Sequence, residues 1–227
     1  TEICLSEIMT TNNPYSFYFA GELFDLKHLS GNVMFAAAIE QSSGGRYRTN
    51  LPQDLEQREV TPHHIRDQDI LTLLESDLAV FNYDGPELDS GTVVEYMFAK
   101  FADIPSVLIR TDFRGGGDQE HFPWNLMTSF YPRTEVLLFD ALAVYKEKRA
   151  LLNGDSTAAS AAMIDAFAEA VVGAFDKVIA QTPVLPSADR ETVYRWLSVL
   201  PGYGDTFPNA DELVRKAMER KEKKGLL

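Results

Sequence analysis

Leu78-Ala-Val-Phe-Asn-Tyr-Asp-Gly-Pro-Glu-Leu-Asp-Ser-Gly-Thr-Val-Val-Glu95 is the stretch on which the reading of this chain turns. Residues 78–83 (LAVFNY) form an apolar run of strand length. Asp84, Gly85 and Pro86 end it, and such residues favour turns over strands. A helix is expected over residues 92–103. Strand, polar loop and helix in that order are part of a βαβ unit.

The same alternation extends in both directions. Upstream, residues 17–20 (FYFA) read as a buried strand that stops at Gly21. Residues 30–41 read as a helix with Val33, Met34, Ala37 and Ala38 on its apolar face, closed by Gly44 and Gly45. Residues 47–51 are a weaker strand ended by Pro52. Residues 61–75 are an amphipathic helix with Pro62 in its first turn and Ile65, Ile70, Leu73 and Leu74 largely on one side. Downstream, residues 106–110 (SVLIR) and 135–139 (EVLLF) are the fourth and fifth strands, and residues 141–152 a helix. Gly115–Gly117 mark a flexible loop between them, without the lysine and spacing of a phosphate-binding loop.

Strands alternating with helices imply right-handed crossovers and a parallel sheet. The expected fold is α/β: a doubly wound, flavodoxin- or Rossmann-like five-stranded sheet. Ligands of such sheets bind beyond the carboxyl ends of the strands, near the switch point. Functional residues are therefore expected just after Ala20, Leu51, Tyr83 and Arg110. From residue 158 the chain loses its strand signal. Residues 158–181, 188–200 and 211–224 read as helices, the last highly charged, with a turn-rich link over 201–208. The expected division is an α/β domain over residues 1–152 and a helical C-terminal extension over 153–227, packed on the core or on a neighbouring subunit.

Composition narrows the function. The 227 residues are 45% hydrophobic and carry a formal net charge of −13. Such a balance disfavours a nucleic-acid polymer or an anionic membrane, both of which call for basic patches. It does not disfavour a single uncharged nucleoside. One cysteine, Cys4, leaves no intramolecular disulfide and no cysteine-rich zinc site. His63 and His64 are adjacent and have no partner ligands in sequence, so no metal site is expected. No apolar run of about 18 residues and no basic signal start are evident. A cytoplasmic protein is the expectation.

Asp89 and Glu95 form the densest polar cluster at an expected strand end. Two carboxylates in one crevice divide labour, one ionised and one protonated, and suit a glycosidic carbon whose transition state carries oxocarbenium charge. A second reading of Glu95 stands beside this one. Thr92-Val-Val-Glu95 matches the capping box, in which the glutamate bonds back to the amide at the helix start. Tyr18 is either a packing residue of the first strand or a hydroxyl aimed at its end. Gly21 is either a turn or a place of close approach. Asp77 follows a helix and opens the third strand, the place of a turn or cap residue.

Four blocks, in order, carry a resemblance to a known family: Tyr18-Phe-Ala-Gly21; Leu51-Pro-Gln-Asp54; Ser76-Asp77-Leu-Ala-Val-Phe with Asp89-Ser-Gly-Thr-Val-Val-Glu95; and Trp124-Asn-Leu-Met127. The chain resembles the nucleoside 2-deoxyribosyltransferases over residues 17–145. The resemblance implies that Glu95 attacks C1′ of a 2′-deoxyribonucleoside and forms a covalent deoxyribosyl-enzyme. Tyr18 would orient that carboxylate, Asp77 and Asp89 would supply or relay the proton for the departing base, and Gln53 would contact the base. Asn125 and Met127 would reach a neighbouring site in a homo-oligomer, a dimer or hexamer, with Asn125 bonding the sugar 5′-hydroxyl. Partners would be deoxynucleosides and free nucleobases, with no cofactor. Two other readings remain: a hydrolase of deoxynucleosides or their 5′-monophosphates, and a non-catalytic nucleotide-sensing module. A carboxylate near a helix N-terminus is expected to be held ionised by the dipole.

Overall fold

A computed structural model of the chain describes residues 13–55, 61–113, 125–202 and 207–227. Cys4, the Gly115–Gly117 loop and Trp124 lie outside the described residues. In chain order the elements are β1 (Tyr15–Ala20), α1 (Leu26–Ser42), β2 (Tyr47–Asn50), α2 (Pro52–Leu55), α3 (Pro62–Glu75), β3 (Leu78–Asn82), α4 (Ser90–Phe101), β4 (Ser106–Arg110), β5 (Thr134–Leu138), α5 (Ala141–Leu151), α6 (Ser156–Ile179), α7 (Arg190–Val199) and α8 (Ala210–Lys223). The helix starts follow local chemistry. Asp25, Thr61, Asp89, Asp140 and Asp155 each accept an amide of the first turn of α1, α3, α4, α5 and α6, which satisfies amides that have no partner inside the helix.

The five strands form one parallel sheet in the order β2-β1-β3-β4-β5. This is the doubly wound α/β arrangement that the alternation of elements implies, with its switch point between β1 and β3. Side chains alternate across the sheet, and β1 shows it directly. Phe17 and Phe19 join Leu78, Val80, Val107 and Ile109 on the face covered by α1 and α6. Tyr18 and Ala20 join Ala79, Phe81 and Leu108 on the face covered by α3, α4, α7 and α8.

Three readings change. The buried residues of α1 are Asn32, Ala36 and Ile39, while Val33 and Met34 are about half exposed. Val33, Met34 and Ala37 of the expected face point outward, because α1 meets the sheet and α6 through Phe35, Ala36, Ala38 and Ile39 instead. Second, α6 is long and apolar enough, by length and composition, to cross a membrane. Asp165, Glu169, Asp176 and Lys177 break up its sequence, which hid this from the sequence reading. Here Phe167, Val171, Phe175 and Val178 of α6 pack on the strands. Third, the segment beyond residue 152 contributes to both faces: α6 to one, and Tyr194, Leu197, Val214 and Leu227 to the other.

Candidate active site

The switch point leaves a crevice beyond β1 and β3, and three segments converge on it. After β1 the chain turns at Gly21, where a Cβ would lie 2.9 Å from the Asn82 Cβ. Only glycine lets the two strand ends come this close. The segment continues into Leu23 and Phe24 at the mouth. From α3 come Ile65 and Asp69, and from the start of α4 come Asp89, Thr92 and Glu95. The β3–α4 loop is anchored by Asp84, whose carboxylate accepts the amides of Thr111 and Asp112 and the Thr111 hydroxyl. The cavity holds about 220 Å³.

Asp89, not a residue at position 92, begins α4. Its Oδ2 accepts the Thr92 amide at 2.7 Å and the Thr92 hydroxyl at 2.8 Å. Glu95 therefore stands in the second turn and is not the distal half of a capping box, which overturns that reading. Its Oε1 accepts a hydrogen bond of 2.7 Å from the Tyr18 hydroxyl. Tyr18 reaches it because the alternation of β1 sends its ring to the α4 side, fully buried.

Burial pushes the Glu95 carboxyl up to about 8. The Tyr18 hydrogen bond works against this, and the charges of Asp69 and Asp89 add to it. The expectation that the α4 dipole holds Glu95 ionised is corrected accordingly: desolvation and two neighbouring carboxylates outweigh a partial charge that fades beyond the first turn. The Tyr18 phenol is raised well above its ordinary value, first by burial and then by Glu95, so it keeps its proton and donates.

Asp69 is the residue the sequence reading missed. It lines the crevice with Glu95 and Asp89 and acts electrostatically on both Glu95 and Tyr18. A signal was present. Ile65, Asp69 and Leu73 stand four residues apart on α3, so a carboxylate interrupts the apolar stripe of an amphipathic helix.

Asp77 is not at this site, and its expected role is corrected. It precedes β3, at the amino end of the sheet. There, 1% exposed, it accepts the Ser16 amide and hydroxyl at 2.9 and 3.2 Å and Lys224 Nζ at 2.6 Å. Gln53 lies beside the crevice, next to Pro52, but its amide is turned to α1, donating to the Leu29 carbonyl and accepting from Asn32. Asn125 caps a short 3-10 turn, Leu126–Thr128, its Oδ1 accepting the Met127 amide at 2.9 Å. Met127 is 76% exposed, and neither residue lines the crevice of its own chain.

Three of the described lining residues are carboxylates and none is a lysine, arginine or histidine. No group of three His, Cys, Asp or Glu side chains among the described residues is arranged to hold a metal ion. A larger groove, about 400 Å³, runs between α7 and α8. Several of its charges are already engaged: Asp211 with Ser198, Glu212 with Lys216, Arg215 with Glu219. The crevice at the switch point is the better candidate.

The crevice lies where sheets of the doubly wound α/β class bind their ligands, beyond the carboxyl ends of the strands at the switch point. Residues 17–127 match the family model for nucleoside 2-deoxyribosyltransferase. A conserved protein from Enterococcus faecalis V583, known from a crystal structure, is similar at 21% identity over 73% of this chain and 99% of its own, with a TM-score of 0.45. No curated protein matches the chain.

Proposed function

We propose that the protein is a nucleoside 2-deoxyribosyltransferase that exchanges the base of 2′-deoxyribonucleosides in the cytoplasm, with Glu95 as nucleophile. The observation that carries this reading is the 2.7 Å bond from Tyr18 to Glu95 in a crevice that also holds Asp69 and Asp89. A Glu95 oxygen attacks C1′ as the bond from C1′ to the base nitrogen breaks, giving a deoxyribosyl ester. The departing base takes up a proton from the acid pair. Asp69 and Asp89 line the crevice with Glu95 and are the two candidates for the proton carrier. A second base then attacks C1′, returns a proton to the same acid and frees Glu95. Glu95, pushed up to about 8 by burial and by the charges of Asp69 and Asp89, shares its crevice with two further carboxylates, so one site holds groups for both the nucleophilic and the acid role.

A free 5′-hydroxyl is favoured over a phosphate by the absence of a cation among the described lining residues. The exposed Asn125 and Met127 suit contribution to a neighbouring copy's site, as the family resemblance implies. Hydrolysis is the second reading, favoured by the open mouth, where Phe24 is 81% exposed and water can reach the ester. The test is a base-exchange assay across purines and pyrimidines, with the intact mass followed for a deoxyribosyl adduct. Exchange with an adduct on Glu95 supports the proposal. Base release with no new nucleoside in the presence of excess second base replaces transferase with hydrolase. Tight binding without turnover, unchanged in Glu95→Ala, replaces both with a sensing module.

A further inference from the structure

Helix α3 brings Asp69 to the crevice, and both its ends are held by chain that lies beyond the family match. Near its start, Arg66 donates to the Pro201 carbonyl at 2.6 Å, and the His64 ring packs 5.1 Å from that of Phe207. At its end, Lys221 Nζ donates to the Leu74 carbonyl at 2.6 Å, Arg220 donates to the Glu75 carbonyl, and Lys224 reaches Asp77. Lys221 is 1% exposed. Burying such an amine is costly unless its hydrogens find acceptors. The last turn of a helix offers them, since its carbonyls lack partners within the helix and carry the negative end of the dipole. The Tyr194 hydroxyl, 3.3 Å from Nζ, is the other partner.

We propose that α8, through Lys221 and Arg220, braces α3 so that Asp69 keeps its place against Glu95 in the crevice. The proposal rests on the reading that Asp69 and Glu95 act together. Asp69 stands five residues before Leu74, about 7.5 Å along a rigid helix. A helix released at its carboxyl end therefore carries Asp69 with it when it shifts or tilts. Lys221 does not touch the crevice, and its role is to position.

The test uses the full chain carrying Lys221→Met, which keeps the length of the side chain and removes its donor. The Glu95 carboxyl is titrated by infrared difference spectroscopy, its band identified with Glu95→Gln, and kcat and KM are measured beside it. Because Asp69 raises the Glu95 titration midpoint, withdrawing it lowers the midpoint by about half a unit to one unit. The expected kinetic result is a fall in kcat of about tenfold with KM within about twofold. A folded variant with a lower melting temperature but an unmoved midpoint and kcat overturns the proposal, since that is what a purely structural lysine would give. Should Lys221→Met fail to fold, Arg220→Met, which removes the donor to the Glu75 carbonyl, undergoes the same titration, with the same two outcomes. The titration needs no turnover, so a wild-type protein without base exchange defeats the proposed function and leaves the brace separately tested.

Discussion

The two ends of one parallel sheet each bury carboxylates, and they treat them in opposite ways. At the amino end, Asp77 is met by Lys224 at 2.6 Å and by Arg220 at 3.6 Å, with two more hydrogen bonds from Ser16. At the carboxyl end, Glu95 meets one phenol and two further carboxylates. A compensated carboxylate is held in place by its cations and contributes stability. An uncompensated one costs stability and gains reactivity, which is the usual bargain at functional sites. On the proposed function, the sheet keeps its ion pairs at one end and its chemistry at the other.

The largest break in that comparison is Glu95→Gln. It keeps the Tyr18 contact and removes the nucleophile, and turnover should fall by about 10⁴-fold, roughly 5.5 kcal/mol in the barrier, as measured by base release. A loss under tenfold would move the chemistry elsewhere. Next comes Asp77→Asn, which leaves Lys224 buried without its counter-charge. Its expected cost is about 3 kcal/mol, read from the denaturant midpoint, while turnover stays within about tenfold of wild type. Large kinetic loss with unchanged stability would reverse the roles of the two ends.

The pH profile sharpens the contrast. With Glu95 pushed up to about 8, the ionised fraction rises about tenfold between pH 7 and pH 9, and kcat/KM should rise with it. The same shift acts on stability with the opposite sense. The folded state holds the Glu95 proton more tightly than the unfolded state, so this group's contribution is full below about pH 4.5 and is lost as pH rises through about 8. The melting temperature of Glu95→Gln should therefore gain on wild type between pH 5 and pH 9. A constant difference would argue against the raised value. Smallest is Tyr18→Phe. The phenol's hydrogen bond favours the ionised carboxylate, so its loss should raise the kinetic midpoint further and lower kcat/KM at pH 7 by about fivefold.

Most of the sheet was legible because strands are local matters. The apolar run before Asp84 and the acid that caps α4 lie within a dozen residues of each other, and Glu95 follows from them. That Asp69 lines the crevice and Asp77 does not has a geometric origin. In a βαβ unit the helix runs antiparallel to the strands, so its late residues and the start of the next strand return to the amino end. Asp77, just before β3, could not face a crevice beyond the carboxyl ends. Asp69, two turns earlier on α3, could. The misassigned face of α1 has a different origin. Its buried side is set by the approach of α6, more than a hundred residues away, where Phe35 meets Phe167.

What the sequence determined by itself is the alternation of strand and helix, and the strand–loop–helix that carries Asp89 and Glu95. Those depend on interactions over a few residues, where propensity, capping and periodicity act. What only the tertiary structure decided is which charges meet. Lys224 neutralises Asp77 across 147 residues of chain, and Tyr18 binds Glu95 across 77. Whether a buried carboxylate is anchored or reactive depends on what lies within a few ångströms of it, and that is settled when distant segments pack against the sheet.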